Sequence, residues 1–213
     1  MKSPTETYQD RIKEEKRLAA VDAATELFLQ QGYERTSLQQ IAKRADVSTA
    51  TLFKRYPTKA ALFEAIVEQF WTLDDDACGG VLPAEPKAGL LKIGRDYAER
   101  MRNPTMVAIF RLIIAEAPRF PDIGQMLFDR GIGPYLSRIS AYLAETVAAG
   151  YMVVPNVESA SRAFVAMIAG QVFWPELIVS GCGGTDEEMK RAVDEAVAIM
   201  MARYGKQRTE QTE

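Results

Sequence analysis

Residues 27–63 read LFLQQGYERTSLQQIAKRADVSTATLFKRYPTKAALF. Gly32 is the kind of residue that ends a helix, because it accepts positive φ without strain. Thr36 is a good N-cap, and Gln39 three residues later completes a capping box. Leu38, Ile41, Ala42 and Ala45 follow at helical spacing, so a short amphipathic helix is expected. Ala45-Asp46-Val47-Ser48 then reads as a turn. Ser48 is placed to cap a further helix reaching Tyr56, in which Leu52 and Tyr56 face the core. Pro57 ends that helix, and Thr58 caps a long one through Leu62, Phe63, Ile66, Val67 and Phe70. Upstream, Leu18, Val21, Ala24 with Thr25, and Phe28 fall on one face of a helix over 11–31.

Charge sharpens this pattern. Residues 1–60 carry eleven Lys or Arg against eight Asp or Glu, whereas the remainder carries fifteen against twenty-one. Between Arg35 and Lys59 stand six basic side chains and one acid, Asp46. A short basic island in an acidic chain implies a localised anionic partner. Two short helices across a tight turn, with small and hydroxyl residues opening the second, suit insertion into the major groove of DNA. Ser48, Thr49, Ala50 and Thr51 are expected to let the backbone approach base edges, while Lys54, Arg55, Tyr56 and Lys59 reach phosphates. The helix N-termini at Thr36 and Thr58 offer free N–H groups to phosphate.

These residues resemble those of TetR/AcrR-type transcriptional regulators. Members of that family carry a stretch like A-G-V-S-x-x-T-L-Y-x-x-F-x-S-K-E-x-L, which aligns with Ala45 to Leu62. The match is close from Arg17 to Phe63, and Phe110 to Pro121 resembles one subgroup. Asp46 stands where Gly is usual and tolerates left-handed backbone better than most residues. Phe53 replaces the usual Tyr and Tyr56 the usual Phe, which moves a hydroxyl that often reaches phosphate. Ala60 replaces the usual Glu, which bears on capping. The DNA-binding set expected from pattern and resemblance is Thr36, Ser48, Thr49, Ala50, Thr51, Phe53, Lys54, Arg55, Tyr56, Thr58 and Lys59.

The rest of the chain also reads helical. Breaks fall at Gly79-Gly80, Pro83 to Pro86, Asn103-Pro104, Pro118 to Pro121, Gly131 to Pro134, Gly150 to Pro155 and Gly181 to Gly184. Helices are expected over about 58–76, 87–102, 104–117, 134–149, 157–180 and 186–204. The fold class is therefore all-α: a mobile tail over 1–10, a three-helix helix-turn-helix DNA-binding domain over 11–60, a larger helical effector-binding and dimerisation domain over 61–205, and a polar tail over 206–213. No apolar run is long enough to cross a bilayer, and the N-terminus lacks the apolar stretch of a secretory signal, so a cytoplasmic protein is expected.

Resemblance implies a dimer, which binding logic supports because one three-helix unit covers only a half-site. In this family the last two long helices usually pair across the dimer axis. Here that points to Ala163, Ala166, Gly170, Phe173 and Trp174 with Val193, Val197, Met200 and Met201, any of which could equally be intrachain core. For an effector the sequence offers composition alone. Phe70, Trp71, Met106, Ile109, Phe110, Ile113, Met126, Phe128, Met167, Gln171 and Trp174 form a Met-rich and aromatic set suited to an adaptable pocket for an apolar or aromatic molecule. The expected function is a ligand-responsive dimeric regulator, a repressor released from a palindromic operator by that molecule.

Other classes find less support. The chain has no His, which removes the usual general base and the commonest zinc ligand, so triad hydrolases and His-based metal sites are excluded. No paired carboxylates or phosphate loop support an enzyme, and no cofactor or metal is expected. Cys78 and Cys182, each beside a Gly pair, could make a thiol sensor of oxidants if exposed. Asp74-Asp75-Asp76 reads as a solvated turn. A DNA binder with no effector is a further alternative, disfavoured by the acidic C-terminal part.

Overall fold

The computed structural model describes residues 8–71 and 82–206. Asp74 to Asp76 and Cys78 lie outside the described residues, as does the end of the helix expected to run to 76. Among the described residues every regular element is helical. None of these helices is long and apolar enough to cross a membrane.

In chain order the elements are α1 (Tyr8–Gln31), α2 (Leu38–Arg44), α3 (Thr49–Arg55), α4 (Lys59–Trp71), α5 (Pro86–Arg102), α6 (Pro104–Glu116), α7 (Pro121–Leu127), α8 (Gly133–Ala148), α9 (Val157–Val172), α10 (Trp174–Ile178) and α11 (Asp186–Tyr204). One π-helical turn, Phe128–Ile132, joins α7 to α8. The chain divides into two compact units. One holds residues through 71 together with 111–131, and the other holds 72–110 together with 132–213.

The first unit is built on α1, which packs on α2 and α4, while α4 also packs on α7. Its core is aromatic: Phe28, Tyr33, Phe63 and Phe120 meet ring to ring at centroid distances of 5.1 to 6.1 Å. Val21, Ala24 and Phe28 are buried as their spacing predicts, but Leu18 is 38% exposed, so the apolar face of α1 begins one turn later. In the π-helical turn, Gly131 lies flat on the Trp71 ring, where a β-carbon would stand 2.7 Å from Cδ1. Arg130 pairs with Glu64 of α4 at 2.6 Å beside it.

The second unit packs α5, α9 and α11 against one another, with α8 and α10 on α9. At Gly94 of α5, side chains of α9 and α11 press against the helix backbone. A β-carbon there would meet Val193 Cγ1 at 2.8 Å, with Ile168 and Phe164 at 3.2 Å. The helix expected over 157–180 is two helices. Pro175 has no N–H to give and its ring opposes the carbonyl four residues back, so α9 stops at Val172 and α10 restarts after Phe173. The helix pattern also continues across Pro121 to Pro134, because each proline sits in the first turn of α7 or α8, where the missing N–H costs nothing. Residues 151–153 pair with 204–206 in an isolated antiparallel bridge that ties down the end of α11.

Candidate nucleic-acid interface

The turn between α2 and α3 has the geometry its sequence predicts. Ala45 closes α2 by donating its N–H to the Ile41 carbonyl at 2.9 Å, and Asp46 then adopts φ 52°. It is the one non-glycine residue with positive φ among the described residues. Val47 N–H returns to the Ala42 carbonyl at 3.0 Å, which reverses the chain. Ser48 caps α3: its hydroxyl accepts from Thr51 N–H at 3.1 Å and lies 2.7 Å from the Thr51 hydroxyl.

The cap of α2 corrects the sequence reading. Ser37, not Thr36, is the N-cap, and the reciprocal partner is Gln40, not Gln39. Gln40 N–H donates to Ser37 Oγ at 3.2 Å, and Ser37 N–H donates to Gln40 Oε1 at 2.8 Å. Thr36 is buried, and its hydroxyl donates to the Gly32 carbonyl at 2.8 Å. It ties the end of α1 to the start of α2 and presents no side chain to solvent.

Along α3, Leu52 is buried and Tyr56 caps the C-terminus with its ring also buried. Thr49, Ala50, Thr51, Phe53, Lys54 and Arg55 are exposed, so the small, hydroxyl and basic residues of α3 are open to solvent while Leu52 turns inward. The burial of Tyr56 leaves little of its ring outside, and Arg55 stands 5.9 Å from the ring centroid. Thr58 caps α4 by accepting from Ala61 N–H at 3.1 Å, and is itself exposed. Arg44 is held to Glu26 of α1 through its Nε at 2.9 Å.

Lys59 does not point outward as a phosphate contact would. Its Nζ donates to the carbonyls of Tyr33 at 2.7 Å and Glu34 at 3.0 Å and lies over the Tyr33 ring. Burial pulls its pKa below the ordinary lysine value, partly opposed by Glu116 and Glu34. Sequence reading missed a second basic row. Lys13, Lys16 and Arg17 on α1 share a cavity wall with Lys54 and Arg55 of α3. Their i, i+3, i+4 spacing was the available signal.

The residues expected to line an effector pocket are distributed over both units. In the first, Trp71 and Ile113 are buried, Phe70 and Met126 are half-buried, and Phe128 is exposed. In the second, Met106 and Ile109 are buried, Phe110 and Met167 are half-buried, and Gln171 and Trp174 are exposed. Phe110 stands edge-on to Phe173 at 4.9 Å. Of the residues expected at a dimer interface, Phe173, Val193, Val197 and Met200 are buried by their own chain and Met201 is half-buried. Ala163, Ala166, Gly170 and Trp174 are exposed, and Ala198, Ile199 and Ala202 form the outward apolar side of α11. Cys182 is an exposed free thiol.

Residues 20–66 match the model of bacterial regulatory proteins of the tetR family, and residues 88–206, more than half of the chain, match the AefR-like transcriptional repressor C-terminal domain. The chain belongs to the TetR family. It is 27% identical over 190 residues to an HTH-type transcriptional repressor of Mycobacterium tuberculosis, covering 89% of this chain and 90% of that one. An HTH-type transcriptional regulator of Bacillus subtilis (41% identical over 49 residues) and the A-factor receptor protein of Streptomyces griseus (32% over 87) are spanned over only 26% and 30% of their lengths. Among solved structures, a TetR-family regulator of Mesorhizobium loti superposes with a TM-score of 0.75 at 23% identity, covering 94% of this chain and all of that one. The flavonoid-responsive regulator FrrA superposes with a TM-score of 0.70 at 27% identity, covering 89% and 97%. The fold class expected for a TetR regulator, an all-α chain opening on a helix-turn-helix, is the one found.

Proposed function

We propose that this TetR-family regulator is a dimeric repressor that reads a palindromic operator with α3 and is released by a small aromatic or apolar molecule. The observation carrying the DNA reading is the division of labour on α3. Leu52 and Tyr56 hold the helix from behind, while Thr49, Ala50, Thr51, Phe53 and Lys54 stand exposed on it. Small and hydroxyl side chains let the backbone approach base edges, and the cations beside them suit phosphates. Exposed Thr58 at the start of α4 and the capped start of α2 at Ser37 add N–H groups to the phosphate contacts.

For pairing, the outward residues Ala163, Ala166 and Gly170 of α9 with Ala198, Ile199 and Ala202 of α11 replace the inward Val193, Val197 and Met200 as the interface. A palindromic operator calls for two such helices, one from each copy. An aromatic effector is supported by the Met-rich and aromatic composition of the helices and by the likeness to a flavonoid-responsive regulator. Such a molecule acts by binding more tightly to the conformation that does not fit DNA. Action on chromosomal DNA would place the protein in the cytoplasm.

Fluorescence anisotropy of a labelled duplex from the DNA upstream of its own gene tests this reading. Two chains per duplex and a marked loss of affinity in Lys54→Ala and Thr49→Ala support it. One chain per duplex, or unchanged affinity in both variants, removes the assigned contacts.

A further inference from the structure

The groove between the N-terminal half of α1 and α3 forms a half-open cavity of about 360 Å³, within the range of small-molecule sites. Its lining is mostly apolar. Ala20, Leu52 and Tyr56 are buried behind it, and Val47 joins them in the lining. Its edge is cationic. Lys13, Lys16 and Arg17 come from one helix, and Lys54 and Arg55 from the other. Asp10 pairs with Lys13 at 3.5 Å and Glu14 with Arg17 at 2.7 Å. Lys16, Lys54 and Arg55 make no ion pair with a described residue.

An apolar hollow whose cationic edge keeps Lys16, Lys54 and Arg55 outside those two ion pairs selects its occupant by exclusion. Bare phosphate, or the backbone of a duplex, gains nothing from the apolar lining. A neutral apolar molecule gains nothing from the cations. We propose that this cavity binds a small amphipathic anion, with a ring or short acyl body inside and a carboxylate or sulfonate at the edge. Thr51, Lys54 and Arg55 line the cavity and belong to the helix assigned to DNA. Occupancy therefore competes directly with the operator, without any change passing through the C-terminal helices. That competition rests on the proposed DNA role of α3; the binding itself does not.

Anilinonaphthalene sulfonate, titrated into the full chain and followed by fluorescence, is the probe, with neutral phenylnaphthylamine as its uncharged counterpart. Lys16→Glu and Lys54→Glu are expected to weaken the sulfonate roughly three- to tenfold each, the scale of a reversed partly exposed charge. Binding of the neutral compound should stay unchanged in both. Ala20→Leu, which fills the interior, should remove the site for either compound, and far-ultraviolet circular dichroism checks that each variant is folded. Equal sulfonate affinity in the wild type and both charge variants overturns the site. Adding duplex DNA at low salt should release the sulfonate in proportion to DNA bound. If duplex and sulfonate bind together without affecting each other, the competition is overturned. If the duplex does not bind at all, the DNA reading fails while the variant titrations still decide the cavity.

Discussion

Lys59 lies over the ring of Tyr33, with its Nζ 4.7 Å from the ring centroid and 2.7 Å from the Tyr33 carbonyl oxygen. A lysine at the start of α4 beside a DNA-reading helix invites assignment as a phosphate contact. The geometry instead makes it a clamp on the segment that leads from α1 to α2. Lys59→Ala should therefore lower stability by about 1–3 kcal/mol, the scale of charge-assisted hydrogen bonds lost with their carbonyls left behind. The slope of log affinity against log salt should stay as in the wild type. Lys54→Ala should do the reverse, keeping the melting temperature and lowering that slope by roughly one unit. Thermal melts and salt titrations of both variants separate the two roles.

Asp46 holds φ 52° in the turn between α2 and α3. Left-handed backbone costs an ordinary L-residue about 1–2 kcal/mol, Asp less, and Gly nothing. Asp46→Gly should be neutral or stabilising, whereas Asp46→Val should cost about 1–2 kcal/mol because a β-branched residue is poorly accommodated there. Urea denaturation read at the transition midpoint checks the order Gly, Asp, Val.

Gly94 gives α5 its close approach to α9 and α11, with Val193 Cγ1 2.8 Å from where a β-carbon would stand. The crowding atoms belong to buried side chains of two different helices, so neither can yield freely. Gly94→Ala should destabilise by about 1–3 kcal/mol despite the higher helix propensity of Ala. Gly170 on α9, with open space where a β-carbon would stand, should accept Ala without that cost in a monomer. Denaturation of the two variants side by side tests the contrast.

Burial pushes the Tyr97 hydroxyl up to about 12. In the unfolded chain the same group ionises near its ordinary value of 10.0. Between those values the native state holds a proton that the unfolded state has released, so stability falls as pH rises through this window. The stability at stake is roughly 2–3 kcal/mol, present in full below pH 10 and lost toward pH 12. Tyr33, raised by burial and by Asp122, acts in the same direction. Tyr97→Phe should flatten the decline of melting temperature above pH 10, and tyrosinate absorbance gives the titration directly.

Local chemistry explains why some of this was legible in the sequence. Ser48 and Asp46 were readable because a cap and a left-handed turn each depend on one residue and its immediate neighbours. Thr36 and Ser37 were not, since T-S-L-Q-Q offers the capping pattern in two registers. Only the burial of Thr36 against the end of α1 decides between them. The direction of Lys59 depends on Tyr33, twenty-six residues away, which no helical period reveals. Val193, Val197 and Met200, expected at a dimer interface, are buried by their own chain, and periodicity does not say whether an apolar stripe meets its own chain or a second copy. The helix expected over 157–180 ran across Pro175, whose missing N–H divides it at Phe173. The return of 111–131 to the unit containing α1 to α4 is long-range and has no sequence signature.

The regulatory role proposed for this chain turns on sequence-selective DNA binding by α3. Its most direct test measures affinity of the purified protein for the duplex upstream of its own gene and for a scrambled duplex of equal length, at about 150 mM salt, where non-specific contacts are weak. Strong preference for the upstream duplex is expected, lost in Thr49→Ala and Lys54→Ala. Equal weak binding to both duplexes, unaffected by either substitution, would contradict it.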